Sequence, residues 1–164
     1  MDVTELKAAL NTVEQDHRFV LDKVQALKET VSGLLEPADG DTPRVLGRLR
    51  EINDYFAVCF TAHMEEEEAT LFALVERHAP DGAALVSRLR REHDEIRRKR
   101  QELGDCLEIA LQLGENLTPR VLRDLLGYGW ELWDMLDNHA HLETQAVQQC
   151  VTRYLRGETR QGQV

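Results

Sequence analysis

The stretch LKAALNTVEQDHRFVLDKVQALKETVSGL, residues 6–34, decides the fold. Its apolar residues recur at alternating steps of four and three, and a histidine occupies one of these positions. Such steps place side chains on one face of an α-helix, as in the seam of a helix bundle. The inward face of this predicted helix consists of Leu6, Leu10, Val13, His17, Val20, Val24, Leu27, Val31 and Leu34.

Loop-forming residues divide the rest of the chain. Breaks rich in Gly, Pro, Asp and Asn occur at residues 36–41, 78–82 and 114–117. After the first break, Thr42 is expected as the N-cap and Pro43 as the first residue of the second helix. With no strand pattern and with short loops, we expect an all-α, up-down-up-down four-helix bundle. A single domain is predicted over residues 1–156, followed by a frayed tail at 157–164.

A displacement of 76 residues relates the two halves of the chain. The sequence TPRVL occurs at 42–46 and again at 118–122. The same displacement superimposes a set of imidazoles and carboxylates, which consists of His17, His63, Glu67, His93, His139 and Glu143. This repeat suggests a duplicated helical hairpin built around one shared site.

The loops predict that the four histidines lie at one height. In antiparallel helices, residues equidistant from a turn share a level, and the midpoints of successive histidines fall at 40, 78 and 116, within the predicted loops. Glu67 and Glu143 follow a histidine by four residues and share its face. Four nitrogens and two carboxylates exceed the needs of one tetrahedral zinc ion and suit two ions. Iron is favoured, with manganese or zinc as alternatives. The competing interpretation is a polar layer that fixes the register of the bundle.

Residues adjacent to these predicted ligands are not expected to bind the metal. His141 is expected to face solvent, and Glu65, Glu66 and Glu68 to face water or neighbouring helices, with Glu66 a candidate for contacting a ligand residue. Cys59 lies one turn before His63 and is predicted to point inward as a packing residue. A redox-active or NO-modified thiol is the alternative for this cysteine.

Composition excludes several classes of function. The chain has 164 residues, 30% of them charged, and a net charge of −10. This balance argues against nucleic acid and against an anionic membrane as partners. No apolar run approaches the ~20 residues of a membrane span, and we expect no secretory leader. The three cysteines form no CxxC pair, so we expect a cytoplasmic protein.

Four segments together resemble the hemerythrin-like (HHE cation-binding) family. They are DHRFV at 16–20, HMEEEEATLF at 63–72, REHDEI at 91–96 and HAHLE at 139–143. The resemblance implies a non-haem di-iron centre with an oxo or hydroxo bridge that handles O2, NO or peroxide. It implies metal ligation by the six displaced residues named above.

The motifs differ from those of the oxygen-carrying branch. That branch has a fifth histidine where this chain has Arg97, and HxxxxD where this chain has His139 and Glu143 in the spacing HxxxE. The set of four histidines and two glutamates is similar to the repair-of-iron-centres branch. That branch carries an additional cysteine-bearing domain ahead of the bundle, whereas this sequence starts in the first helix. With four histidines shared between two metals, we expect each iron to be five-coordinate with one open position for a small ligand.

Three functions are compatible with these features. The first is a protein that binds O2, NO or peroxide in sensing or in a stress response. The second is a di-iron oxidoreductase that removes peroxide or NO, or an iron donor for iron–sulfur cluster repair. The third is an iron store or a structural metal bundle. Because no acid–base residue outside the ligand set stands out, the sequence favours the first.

Overall fold

The structure, a computed structural model, describes residues 3–35, 41–79 and 81–155. The side chains of residues 3–17, 115, 151, 154 and 155 lie outside this description, as does the tail predicted at 157–164.

Helices account for nearly all of the described chain. They are α1 (Val3–Gly33), α2 (Thr42–Tyr55), a π-helical segment (Phe56–Phe60), α3 (Thr61–Ala69), α4 (Leu71–His78), α5 (Gly82–Leu113), a 3₁₀ turn (Gly114–Asn116) and α6 (Pro119–Leu155). Helices α2 to α4, with the π segment, continue in one direction, so the chain forms four rods: α1, α2–α4, α5 and α6. No described helix is long and apolar enough to cross a lipid bilayer.

Consecutive rods pack side by side, and the last rod returns to the first. Helix α1 contacts α2 and α6, and α5 contacts α2, α4 and α6. This closed arrangement of four antiparallel neighbours confirms the predicted all-α, up-down-up-down bundle. At one close approach, a Cβ added to Gly129 of α6 would lie 2.6 Å from Cγ2 of Val31 in α1. Glycine at this position therefore allows the first and last rods to touch.

The second rod begins one residue earlier than the sequence predicts. Thr42 is the first residue of α2, and Asp41 occupies the N-cap position without a side-chain cap hydrogen bond. The Asp41 carboxylate instead accepts two hydrogen bonds of 2.5 Å from the Arg44 guanidinium. The prediction of Thr42 as the N-cap was therefore wrong by one position.

The π-helical segment alters which residues of the second rod face the core. A π-helical turn contains more residues than an α-helical turn, so the next inward position comes one residue later. Phe60 is accordingly buried, whereas Cys59 is exposed. The prediction that Cys59 points inward was wrong because a regular helix was assumed through this segment.

A polar layer separates two apolar cores. The larger core includes Met64 and Ile96, and the smaller one includes Leu71 and Leu89. Between these levels, Glu67 is buried on α3 with 3% of its surface exposed. Because both flanking layers are apolar, ionised groups at this level are stabilised only by partners within the protein or by a bound cation.

Candidate metal centre

Three rods bring four buried side chains together in the polar layer. They are Glu67 from α3, His93 from α5, and His139 and Glu143 from α6. One ligand-type atom from each lies within 4.8 Å of all the others. Their positions follow from the helix seams, which place an imidazole or a carboxylate where the neighbouring turns supply leucine or valine.

The spacing of these atoms fits a cation at their centre. The Nε2 atoms of His93 and His139 lie 3.1 Å apart. Glu143 Oε1 lies 3.3 Å from Nε2 of His139 and 3.8 Å from that of His93, and Glu67 Oε2 lies 3.5 Å from Nε2 of His93. Metal–ligand bonds of about 2.0–2.2 Å place neighbouring ligand atoms about 2.8–3.6 Å apart. Two imidazole nitrogens and two carboxylate oxygens at these distances form a suitable donor set for a divalent metal.

Of the two remaining predicted histidines, the structure describes the side chain of His63 but not that of His17. His63 lies at the edge of the cluster, where its Nε2 is 2.8 Å from Glu67 Oε1. The backbone of His17 belongs to α1, but its side chain lies outside the described residues. Metal ligation by all six predicted residues therefore stays a prediction. The structure brings four of them together, and a fifth, His63, contacts this group through Glu67.

Each buried imidazole has a carboxylate on its outer nitrogen. His93 Nδ1 lies 2.8 Å from Glu68 Oε1, and His139 Nδ1 lies 3.0 Å from Glu92 Oε2. Because a carboxylate only accepts hydrogen bonds, both Nδ1 atoms act as donors. Each ring therefore presents Nε2 to the centre of the cluster.

Arginines hold both outer carboxylates from the solvent side. Arg97 donates to Glu68 Oε1 at 3.0 Å, and Arg90 donates to Glu68 Oε2 at 2.9 Å. Arg88 donates to Glu92 Oε1 at 2.8 Å. Three side chains of the basic segment 88–100 thus contact the carboxylates behind the buried histidines, and two of its other basic side chains, Arg91 and Arg98, are exposed.

The outer carboxylates stay ionised. Burial raises the pKa of Glu68, but hydrogen bonds from His93 and Arg97 outweigh it and leave this pKa below its usual range. The hydrogen bond from His139 lowers the pKa of Glu92, against a smaller opposing effect of burial. Both carboxylates are therefore available to accept the Nδ1 hydrogens at neutral pH.

Without a metal, the inner carboxylates favour protonated imidazoles. Burial alone would lower the pKa of His93, but the nearby Glu143 and Glu67 carboxylates and the hydrogen bond to Glu68 raise this pKa to about 9. Burial likewise opposes the rise in the pKa of His139, which hydrogen bonds with Glu143 and Glu92 bring to about 10. The cluster therefore has a strong electrostatic preference for positive charge, which protons or metal ions satisfy.

An aromatic wall closes one side of the cluster. The Phe72 ring stacks on the imidazole of His93, with centroids 5.2 Å apart and planes inclined by 28°. The Arg90 guanidinium covers Phe72 at 5.2 Å from the ring centroid. This packing, with complete burial of His93, fixes the ring plane of the histidine.

A surface groove lies next to His63. It has a volume of about 370 Å³ and lies between α1 and the second rod. Its described lining consists of Phe19, Val20, Tyr55, Cys59, Ala62, His63 and Glu66. The exposed thiol of Cys59 lies in this groove because the π-helical segment turns it away from the core.

The roles of the neighbouring residues were predicted only in part. His141 is exposed, as expected, with 70% of its side-chain surface accessible. Glu66 lines the groove, whereas Glu68 is the acidic neighbour that contacts a buried histidine. The contact of Glu92 with His139 was not predicted. Both supporting glutamates adjoin a cluster residue in the sequence, and this adjacency was the available signal.

The fold and the donor set define a four-helix-bundle protein with a candidate metal centre. The chain matches the hemerythrin HHE cation binding domain over residues 8–151 and belongs to that family. This finding confirms the family resemblance and supports cation binding. No curated protein and no solved structure gives a match to the chain.

Proposed function

We propose that this chain is a non-haem di-iron protein that binds O2, NO or peroxide in sensing or in a stress response. The observation that carries the proposal is the buried set of two imidazoles and two carboxylates between apolar layers. Imidazole and carboxylate side chains are common ligands of iron, which is the proposed metal. Manganese and zinc are the alternatives.

Two ions account for the donor set better than one. Glu67 has one oxygen 2.8 Å from His63 Nε2 and the other 3.5 Å from His93 Nε2. A carboxylate between two imidazoles in this way is suited to bridging two cations. In the proposal, His17, His63, His93 and His139 would supply nitrogen ligands, and Glu67 and Glu143 would supply carboxylate oxygens.

The groove supports access of a small ligand to the centre. It opens the surface between Phe19 and Tyr55 and leads to His63 at the edge of the cluster. The Phe72 and His93 rings, by contrast, are stacked and buried. An open position on the ion next to His63 would therefore receive a ligand from the groove. A bound iron pair would supply reversible binding or reduction of this ligand.

The residues around the cluster favour binding of such a ligand over its chemical conversion. The apolar layers on both sides limit water around the cluster, and the charges on Arg88, Arg90 and Arg97 are taken up by acidic partners. Apart from the predicted ligands and the residues that support them, the described site presents no acid–base pair. This favours ligand binding over substrate-specific catalysis. A cytoplasmic location is part of the proposal.

Anaerobic loading with ferrous iron tests the proposal. We expect two irons per chain, and optical spectra that change on addition of O2, NO or peroxide. A stable reversible spectrum with O2 or NO supports binding or sensing. Rapid turnover of peroxide or NO supports the alternative of a di-iron oxidoreductase, and ready transfer of iron to an apo-acceptor supports an iron donor. Failure of the chain to bind iron, manganese or zinc above the level of a His93→Ala variant would overturn the metal site.

A further inference from the structure

We propose that Glu68 and Glu92 are positioning residues that orient His93 and His139 for metal binding. This inference rests on the proposed metal centre and assigns the two carboxylates behind it. Neither is a predicted ligand, and each contacts the ligand-type histidine of a different rod.

The two contacts share one geometry although they arise from unrelated positions. Glu68 of α3 accepts from Nδ1 of His93 in α5 at 2.8 Å. Glu92 of α5 accepts from Nδ1 of His139 in α6 at 3.0 Å. Glu92 and His93 are adjacent in α5. The same turn therefore donates a hydrogen bond to the second rod through His93 and accepts one from the fourth rod through Glu92. The contacts link three rods at the level of the centre.

The hydrogen bonds select one tautomer of each ring. A neutral imidazole has one N–H and one lone pair, so a hydrogen on Nδ1 leaves the lone pair on Nε2. In both histidines it is Nε2 that faces the other donors, with a separation of 3.1 Å between the two atoms. Without the outer carboxylates, the rings would be free to place the hydrogen on Nε2, which blocks metal binding.

Hydrogen bonds from three arginines hold the two glutamates in position next to the Nδ1 atoms of the histidines. Both oxygens of Glu68 are engaged by guanidinium groups, from Arg90 and Arg97. Arg88 holds the oxygen of Glu92 that does not contact His139. The carboxylates are thereby fixed in orientation. Arg97, at the position of the fifth histidine of the oxygen-carrying branch, contacts Glu68 instead of supplying an imidazole.

A carboxylate on Nδ1 also alters the electronic character of the ligand. It draws the Nδ1 hydrogen toward itself and increases electron density at Nε2. A more basic nitrogen stabilises ferric iron more than ferrous iron. Loss of the negative charge at position 68 or 92 should therefore raise the midpoint potential of bound iron.

Substitutions that remove the negative charge of each glutamate provide the test. Glu68→Gln and Glu92→Gln keep the size of the side chain but replace an ionised acceptor with a neutral amide. Glu65→Gln is the matched control, because Glu65 is an exposed residue of α3 whose loss removes the same charge. Each full-length protein is loaded with zinc for nitrogen-15 NMR of the histidine rings, and with iron for affinity and potential measurements.

The expected results are specific to each pair. In the zinc-loaded wild type, the rings of His93 and His139 show a protonated Nδ1 and a metal-bound Nε2. Glu68→Gln should shift the Nδ1–H signal of His93 and accelerate its exchange with water while leaving that of His139 in place, and Glu92→Gln should do the reverse. Each should weaken metal binding by about 10–100-fold and raise the iron potential. Glu65→Gln should change none of these values.

Three outcomes separate the possible failures. Wild-type protein that binds no metal overturns both the proposed function and this inference. Metal binding in both glutamine variants equal to that of the wild type, with unshifted Nδ1–H signals, overturns the inference alone. A loss of helical content in a metal-free glutamine variant assigns that residue a structural role, which also contradicts it. Arg97→Gln gives a second measurement at Glu68 and should change the His93 signal in the same direction but less.

Discussion

The Nε2 atoms of His93 and His139 lie 3.1 Å apart, although the two residues belong to different helices and are 46 positions apart. Both rings donate through Nδ1 to carboxylates behind them. Two facing nitrogens without hydrogens repel each other, so protons on Nε2, which face the Glu67 and Glu143 carboxylates, or a bound cation would stabilise this contact. Protons and metal ions therefore compete for the space between the two rings.

Replacement of His93 should reduce metal binding. We expect His93→Ala to bind at most one iron per chain, because it removes a nitrogen that lies within 3.8 Å of His139, Glu67 and Glu143. Elemental analysis after anaerobic loading measures the effect, and a lower melting temperature of the metal-loaded variant should accompany it. His141→Ala is the matched control, since His141 is an exposed imidazole on the same helix as His139. Unchanged iron content in His93→Ala would contradict the assignment.

Replacement of His17 tests the part of the site that is predicted from the sequence repeat. The repeat pairs His17 with His93, so we expect His17→Ala to lose one of two metal ions and retain the other. Native mass spectrometry of the loaded protein distinguishes one ion from two. Full retention of two ions would remove His17 from the ligand set while leaving the four-residue cluster intact.

Protons and metal ions should compete for the cluster. The pKa values of His93 and His139 in the metal-free chain are raised to about 9 and about 10, above the ~6.5 of an unfolded histidine. Their contribution to stability is therefore complete below about pH 6.5 and is lost as the pH rises through 9 and 10. We expect the melting temperature of metal-free protein to fall over this range.

Metal affinity should change in the opposite direction, because binding requires both rings to release the Nε2 proton. Zinc affinity measured by chelator competition should increase between pH 6.5 and 9. The metal-loaded protein serves as the control for the melting experiment, since its liganded rings have no Nε2 proton to lose. Equal pH dependence of the metal-free and loaded forms would show that other groups cause the fall.

The three thiols should differ in reactivity. Cys59 is exposed, whereas Cys106 and Cys150 are buried. Burial raises the pKa of Cys106 and raises that of Cys150 to about 11, so neither forms the reactive thiolate at neutral pH. A disulfide reagent at pH 8 should label one thiol per native chain quickly and three after unfolding. Cys59→Ser should abolish the fast phase, and fast labelling that persists in this variant would contradict the exposure of Cys59.

Filling the groove should slow ligand binding. Ala62 lines the groove one residue before His63, and a tryptophan at this position would occupy much of its volume. We expect Ala62→Trp to bind iron normally but to react with azide or NO several-fold more slowly in stopped-flow experiments. Ala73→Trp places the same bulk at an exposed position of α4 away from the described groove lining. An unchanged rate in Ala62→Trp would require a different route to the metal.

The sequence by itself determined the bundle and the level of the site. Steps of three and four specify which helix face is buried, and loop positions specify which residues of antiparallel helices share a height. These two rules identified Glu67, His93, His139 and Glu143, which the structure brings together. The same two rules, with the 76-residue repeat, also placed His17 and His63 among the predicted ligands.

Tertiary structure decided the features that depend on neighbouring rods. The π-helical segment changes the phase of the second rod, and periodicity calculated for a regular helix therefore placed Cys59 in the core. Glu68 and Glu92 lie beside the seams, and their partners are 25 and 47 positions away in the sequence. Hydrogen bonds between helices depend on rotation and spacing to within a fraction of an ångström, which helix packing fixes and residue spacing along one helix does not.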